Sequence, residues 1–223
     1  MRKGFNGIEL NYEVFGEGKP IVLLHGNGED HTIFLPLIEE LSKEYKVYAI
    51  DSRSHGKSDK GHLDYYVMAE DVRCFIESEL SEAPLLYGFS DGGIIALIVA
   101  YMHPNLISHV VSSGANLTPR DLSRAFRFYC KLRNAIKSKE LYTLMLTGPN
   151  INRDDLSKIT AKALILAGEK DIITKAHSEF IRDSIEGAGL KILKGENHGS
   201  YVIKSKKLYP IIKEFINQGG KNV

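Results

Sequence analysis

Short apolar runs bounded by turn residues alternate with helical periodicities along most of the chain. Residues 8–15 alternate roughly as a strand, and G16-E17-G18-K19-P20 then turns the chain into the run I21-V22-L23-L24, which ends in H25-G26-N27-G28. A helical pattern over 33–41 precedes the strand K46-V47-Y48-A49-I50-D51. The polar loop S52-R53-S54-H55-G56-K57-S58-D59 follows, and then a helix with apolar residues at Val67, Val72, Phe75, Ile76 and Leu80. The beat repeats with a strand over 84–89, an apolar helix over 92–102 and a strand over 107–112. It resumes after an interruption with a strand over 161–167, a helix over 176–185, a strand over 190–193 and a last helix over 208–216. Continuous apolar strands alternating with helices predict an α/β fold. The sheet is mostly parallel and covered by helices on both faces, because such strands are buried on both sides. The more alternating opening of the chain suits an antiparallel margin.

The interruption, residues 117–152, holds two helical segments, 122–132 and 140–146, with aromatic and apolar residues on part of their surface. A structureless loop of that length is uncommon in a compact domain. These residues are therefore expected to form an inserted helical cap on a core made of residues 1–116 and 153–223. The insertion is lopsided in charge: Arg120, Arg124, Arg127, Lys131, Arg133, Lys137 and Lys139 face only Asp121 and Glu140. A solvated basic helix face explains this most simply. A cationic rim for acidic substrates, or contact with a membrane or a partner, are the functional readings.

Composition narrows the classes. At 223 residues, 43% hydrophobic and 26% charged, the chain can bury the core of one globular domain. A net charge of +1, with no nucleic-acid-binding module, predicts no nucleic-acid partner. Cys74 and Cys130 are the two cysteines, with no C-x-x-C and no metal-ligand spacing, so neither a disulfide framework nor a metal centre is expected. No G-x-G-x-x-G follows a strand, and no cofactor is implied. The N-terminus turns polar before a signal-peptide core could form, and no window approaches eighteen uninterrupted apolar residues. A cytoplasmic protein without stable membrane insertion is the expectation; oligomeric state is not legible.

The candidate chemistry centres on G88-F89-S90-D91-G92, between a predicted strand and a predicted helix. A sharp turn there places the Ser90 hydroxyl beyond the carboxyl end of the strand, and the glycines let neighbouring backbones pass close to it. The competing reading is that Ser90 caps the helix. A hydroxyl becomes a nucleophile only when a base takes its proton. His198, in G195-E196-N197-H198-G199-S200, follows the last strand and opens on the same rim, whereas His103 and His109 lie on the opposite one. Asp171, in G168-E169-K170-D171, reaches that rim after the strand ending at Ala167, with Glu169 and Glu196 as rival acids. A carboxylate is needed to hold the imidazole in the correct tautomer. Oxyanion donors are expected from the backbone N–H of Asp91 and of Asn27. The Asp91 carboxylate, costly near an oxyanion, is expected to cap the helix start and point away from the pocket.

Five pieces carry a resemblance to the α/β-hydrolase family along nearly the whole chain, each after the appropriate strand. They are H25-G26-N27-G28, D51-S52-R53-S54-H55-G56-K57-S58, G88-F89-S90-D91-G92-G93, L164-I165-L166-A167-G168-E169-K170-D171 and N197-H198-G199. The resemblance implies that Ser90 attacks a carbonyl, His198 serves as base and then acid, and Asp171 orients it. The backbone of Asn27 and Asp91 would form the oxyanion hole and residues 117–152 the cap. His25 and the Asp51/Arg53 pair match loop-organising positions. Phe34 falls where the family often has a bulky aromatic near the pocket, with a plain core aromatic as the alternative. His31, shortly after the first glycine loop, could reach the pocket, with an exposed or capping helix-start histidine as the alternative. Ser54 and Ala163 depart from the Gly and Pro common in the family, and the short cap argues for an open pocket and against a large buried substrate. A serine at the elbow implies hydrolysis, through an acyl-enzyme, of carboxylic esters of small to medium size. Carbon–carbon bond hydrolysis and amidase or aminopeptidase activity would use the same triad, and an acidic small-molecule substrate would suit the cap's arginines. A non-enzymatic receptor or interaction module is the alternative from another class, since fold does not fix function.

Overall fold

The computed structural model describes residues 1–136 and 139–217. Asn6 and Gly7 both adopt positive φ, 47° and 76°, as a two-residue hairpin turn requires. They join β1 (Arg2–Phe5) to β2 (Ile8–Phe15) with Phe5 opposite Ile8. β1 is absent from the hydrophobic pattern because Phe5 is its one buried residue. β2 lies antiparallel to β4 (Lys46–Ile50), which pairs in parallel with β3 (Pro20–Leu24). Parallel pairing then continues through β5 (Leu85–Phe89), β6 (His109–Ser113), β7 (Lys162–Lys170) and β8 (Gly189–Asn197). The strand order is β1-β2-β4-β3-β5-β6-β7-β8.

Every residue of β3 and β5 is buried, which is why both read as unbroken apolar runs. Their side chains alternate between two cores. Val22, Leu24 and Leu86 join one with α2 (Tyr65–Glu79), α3 (Asp91–Met102) and α7 (Lys175–Asp183). Ile21, Leu23, Leu85 and Tyr87 join the other with α1 (Leu35–Leu41) and α8 (Leu208–Asn217). All of α3 from Asp91 to Tyr101 is buried, so truncating Leu97 or Ile98 to alanine would cost about 2–5 kcal/mol. The start of α3 is thereby fixed against the sheet. No helix among the described residues is long and apolar enough to cross a membrane.

β7 and β8 run further than apolarity suggests. A bulge between Gly168 and Lys170 carries the pairing on to Lys170 opposite Asn197, through residues whose side chains are largely exposed and polar. This extension places Asp171 and His198 directly after paired strand ends. The helical insertion between β6 and β7 holds α4 (Arg124–Ile136), α5 (Lys139–Thr147) and the short α6 (Arg153–Leu156). Of its cationic residues, Lys137 lies outside the described residues.

Candidate active site

Ser90 holds φ 53° and ψ −116° between β5 and α3, a conformation costing a non-glycine residue about 1–3 kcal/mol. Its neighbours must be small: a Cβ on Gly88 would lie 2.0 Å from the Gly92 carbonyl oxygen, and one on Gly92 would lie 2.2 Å from that of Leu24. The Ser90 N–H donates to the Ser113 carbonyl at 2.7 Å, fastening the turn to β6. Ser90 occupies the N-cap position of α3, yet its side chain makes no capping bond. The hydroxyl instead lies 3.1 Å from His198 Nε2.

His198 Nδ1 is 2.7 Å from Asp171 Oδ1. The Asp171 side chain is fully enclosed while that of His198 is 22% exposed. Asp171 also accepts from the amides of Ile173 at 3.0 Å and Gly168 at 3.3 Å. Burial works against its charge, but the His198 contact and these two amides outweigh it and hold the carboxyl below its ordinary value. The rival acids are occupied elsewhere: Glu169 accepts from the Gly195 amide, and Glu196 from Lys207 and Ser200. Gly114, at φ 65° just after β6, backs the imidazole so closely that a Cβ would fall 2.8 Å from His198 Cε1. Phe89 flanks it with ring centroids 5.0 Å apart.

Asn27 and Asp91 line the same cavity as Ser90, and among the described residues neither backbone N–H donates to a protein acceptor. The Asp91 carboxylate does not cap α3. It is buried and accepts from Asn27 Nδ2 at 2.8 Å and from the Tyr65 hydroxyl at 3.0 Å. Burial pushes its carboxyl up, and the Asn27 and Tyr65 bonds offset part of that. Asn27 Nδ2 also reaches the Leu141 carbonyl at 3.3 Å, tying the loop after β3 to α5. Glu29, unremarked in the sequence, is a further acid in the cavity wall. It accepts from the Gly26 amide at 3.0 Å, and burial raises its carboxyl. Its signal was present as the residue closing H25-G26-N27-G28-E29.

The cavity has a volume of about 460 Å³, and Leu122, Phe126, Tyr129, Leu141, Tyr142 and Met145 of the insertion form its apolar roof. Neither His31 nor Phe34 borders it. Phe34 is fully buried and packs edge-on against Tyr87, because the loop after β3 turns its helix into the second core. His31 is buried with Nδ1 2.7 Å from Asp51 Oδ1. Asp51 and Arg53 do not pair with each other: Asp51 also accepts from Asn11 and the Lys57 amide, while Arg53 makes a two-pronged bond to Asp71. Asp30, His31 and Asp51 bring three potential metal-ligand atoms within 4.8 Å of one another. Asp30 is engaged by Thr32 and Asp51 by the partners just named. No lysine or arginine among the described residues borders the cavity, so Arg120, Arg124, Arg127, Lys131 and Arg133 of the insertion do not line the substrate space.

His25 braces the loop carrying Asn27. Its Nδ1–H donates to the Gly26 carbonyl at 2.8 Å and its Nε2 accepts from the Ser52 amide at 3.0 Å. Burial first, then the neighbouring His55, pushes its pKa from 6.5 down to about 4. In that window the unfolded chain binds a proton the native protein refuses. This contribution to stability is complete above pH 6.5 and is lost as the pH falls, by about 3 kcal/mol near pH 4. Urea unfolding from pH 7 to 4 is expected to show a shallower decline for His25→Gln than for the parent; equal slopes would contradict this.

Comparison with known proteins agrees with this fold. The family described as alpha/beta hydrolase fold matches residues 19–132, and the chain belongs to it. Human "Serine hydrolase BPHL" is 28% identical over 246 residues, covering 95% of this chain and 84% of that protein. Among solved structures, the enol-lactonase from Burkholderia xenovorans LB400 superposes with a TM-score of 0.81 at 21% identity, covering 98% of this chain and 100% of that one. A meta-cleavage product hydrolase from Pseudomonas fluorescens IP01 gives 0.82 at 20%, covering 98% and 97%. The protein is an enzyme of the serine-hydrolase type.

Proposed function

We propose that the protein hydrolyses small, uncharged carboxyl compounds, esters or lactones, through an acyl-enzyme on Ser90. The observation that carries this reading is the chain Ser90 Oγ, His198, Asp171, linked at 3.1 and 2.7 Å on the wall of a largely apolar cavity. In the first half-reaction Ser90 Oγ attacks the carbonyl carbon as His198 Nε2 takes its proton. The backbone N–H groups of Asn27 and Asp91 receive the oxyanion, a contribution of about 3–4 kcal/mol per donor in well-studied cases. His198 then protonates the leaving oxygen. Water, deprotonated by His198, attacks the acyl-enzyme and frees Ser90. Asp171 keeps Nδ1 protonated and stabilises the imidazolium.

Glu29 and Asp91 border the cavity without a lysine or arginine among the described residues, so an anionic substrate is disfavoured within it. The second reading is carbon–carbon bond hydrolysis with the same triad. The likeness to a meta-cleavage product hydrolase favours it at least as strongly as simple ester cleavage, while the likeness to an enol-lactonase supports the first. The cavity's charge then points to a neutral diketone. A panel of acetyl to octanoyl p-nitrophenyl esters, a γ-lactone, a hemisuccinate ester, and neutral and acidic β-diketones separates these readings. The expected order places a neutral ester or lactone at least about 100-fold above the hemisuccinate in kcat/KM, a difference of about 2.7 kcal/mol. A neutral diketone turned over fastest would establish the second reading; a preference for the hemisuccinate would overturn the charge argument.

A further inference from the structure

The protein contains nine arginines, and most are matched. Arg2, Arg53, Arg73 and Arg182 pair with carboxylates. Arg133 bonds to the Tyr142 hydroxyl, and Arg153 lies over the Phe180 ring while reaching the Asp183 carbonyl. Among the described residues, the three whose guanidinium has no such partner are Arg120, Arg124 and Arg127. All three border one groove of about 750 Å³, together with Lys131. Asp121, the acid beside them in sequence, is not free to neutralise them. Its carboxylate accepts from the Thr118 amide and hydroxyl and faces His177 Nδ1 at 3.5 Å.

The groove is separate from the catalytic cavity. α4 contributes Phe126 and Tyr129 to the cavity and Arg124, Arg127, Phe128 and Lys131 to the groove, and α5 contributes Met145 to the one and Leu146 to the other, so the two sites share two helices but no residue. Four cations around one concavity repel one another, and no acid among the described residues borders the groove to relieve that repulsion. A multivalent anion would. Planar guanidinium forks match phosphate oxygens two at a time. Phe128, 70% exposed at the groove, offers apolar contact to whatever carries the phosphates.

We propose that this groove binds clustered phosphate groups, with Arg120, Arg124, Arg127 and Lys131 as the ligating side chains. The chemistry is shared by a soluble polyphosphorylated compound and by the headgroups of an anionic lipid surface. Calorimetric titration with tripolyphosphate and co-sedimentation with phosphatidylglycerol vesicles, each at low salt, distinguish the sources. The intact protein is expected to bind at least one probe, phosphatidylcholine vesicles giving no binding. The double substitution Arg124→Gln with Arg127→Gln should weaken that binding at least about 10-fold, whereas removing two exposed charges elsewhere, Lys57→Gln with Lys60→Gln, should change it less than about 2-fold. Unfolding midpoints of both variants within about 2 °C of the parent exclude misfolding as the cause. Binding to tripolyphosphate assigns a soluble ligand, and binding to vesicles alone assigns the lipid surface; both uphold the site. Failure of both probes with the intact protein, or equal losses in the two double variants, would overturn it.

Discussion

Replacing Ser90 with alanine is expected to lower kcat by about 10⁴-fold or more on any substrate the enzyme turns over. In the proposed mechanism the missing atom is the one that forms the covalent bond. The variant should still fold: alanine keeps the backbone at φ 53°, and the hydroxyl makes no capping bond whose loss would loosen α3. Unchanged unfolding with abolished turnover is the expected combination, checked by single-turnover kinetics beside a thermal melt. Turnover within about 10-fold of the parent would remove Ser90 from the chemistry.

Asp171→Asn is expected to be nearly as damaging, about 10⁴-fold in kcat near neutral pH, although it changes one atom. The carboxylate accepts the Nδ1–H of His198 and thereby leaves Nε2 as the lone pair facing Ser90. An asparagine amide in that place can donate to Nδ1, which stabilises the opposite tautomer and turns Nε2 into a donor. The asparagine oxygen can keep only part of what Asp171 receives from the Ile173 and Gly168 amides. A loss confined to kcat, with KM little changed, is the outcome that a positioning role predicts. If Glu169→Gln or Glu196→Gln were the more damaging change, the acid would be misassigned.

Most of the sheet was legible because its central strands are buried on both faces and so read as unbroken apolar runs. What escaped has the opposite character. β1 buries one side chain, and its signal was the Asn6-Gly7 turn rather than any periodicity. The ends of β7 and β8 pair through exposed, polar residues past a bulge. The Ser90, Asp171 and His198 positions could be expected from sequence because each follows a strand end, and strand ends share a rim. His31 and Phe34 could not be placed this way. They follow the loop after β3 into a helix, and which face that helix buries depends on its packing against Tyr87 and Asp51. The roles of Glu29, which closes H25-G26-N27-G28-E29, and of Tyr65 depend on contacts with Gly26 and Asp91 made through space, which no periodicity carries. The insertion's charge was legible as composition, but its direction was not. A solvated basic face, a rim for acidic substrates and a membrane or partner contact all fit that composition; the cations that border a concavity gather at a groove lying apart from the catalytic cavity.

The central claim, that Ser90 is a nucleophile activated by His198, is tested most directly by covalent labelling. A fluorophosphonate reacts with an activated serine by losing fluoride, so intact-mass analysis followed by peptide mapping reads the modified residue without knowledge of the substrate. One adduct per chain, mapped to Ser90 and absent from Ser90→Ala and His198→Ala, is the predicted result. An unlabelled parent protein, or an adduct that persists in Ser90→Ala, would contradict it.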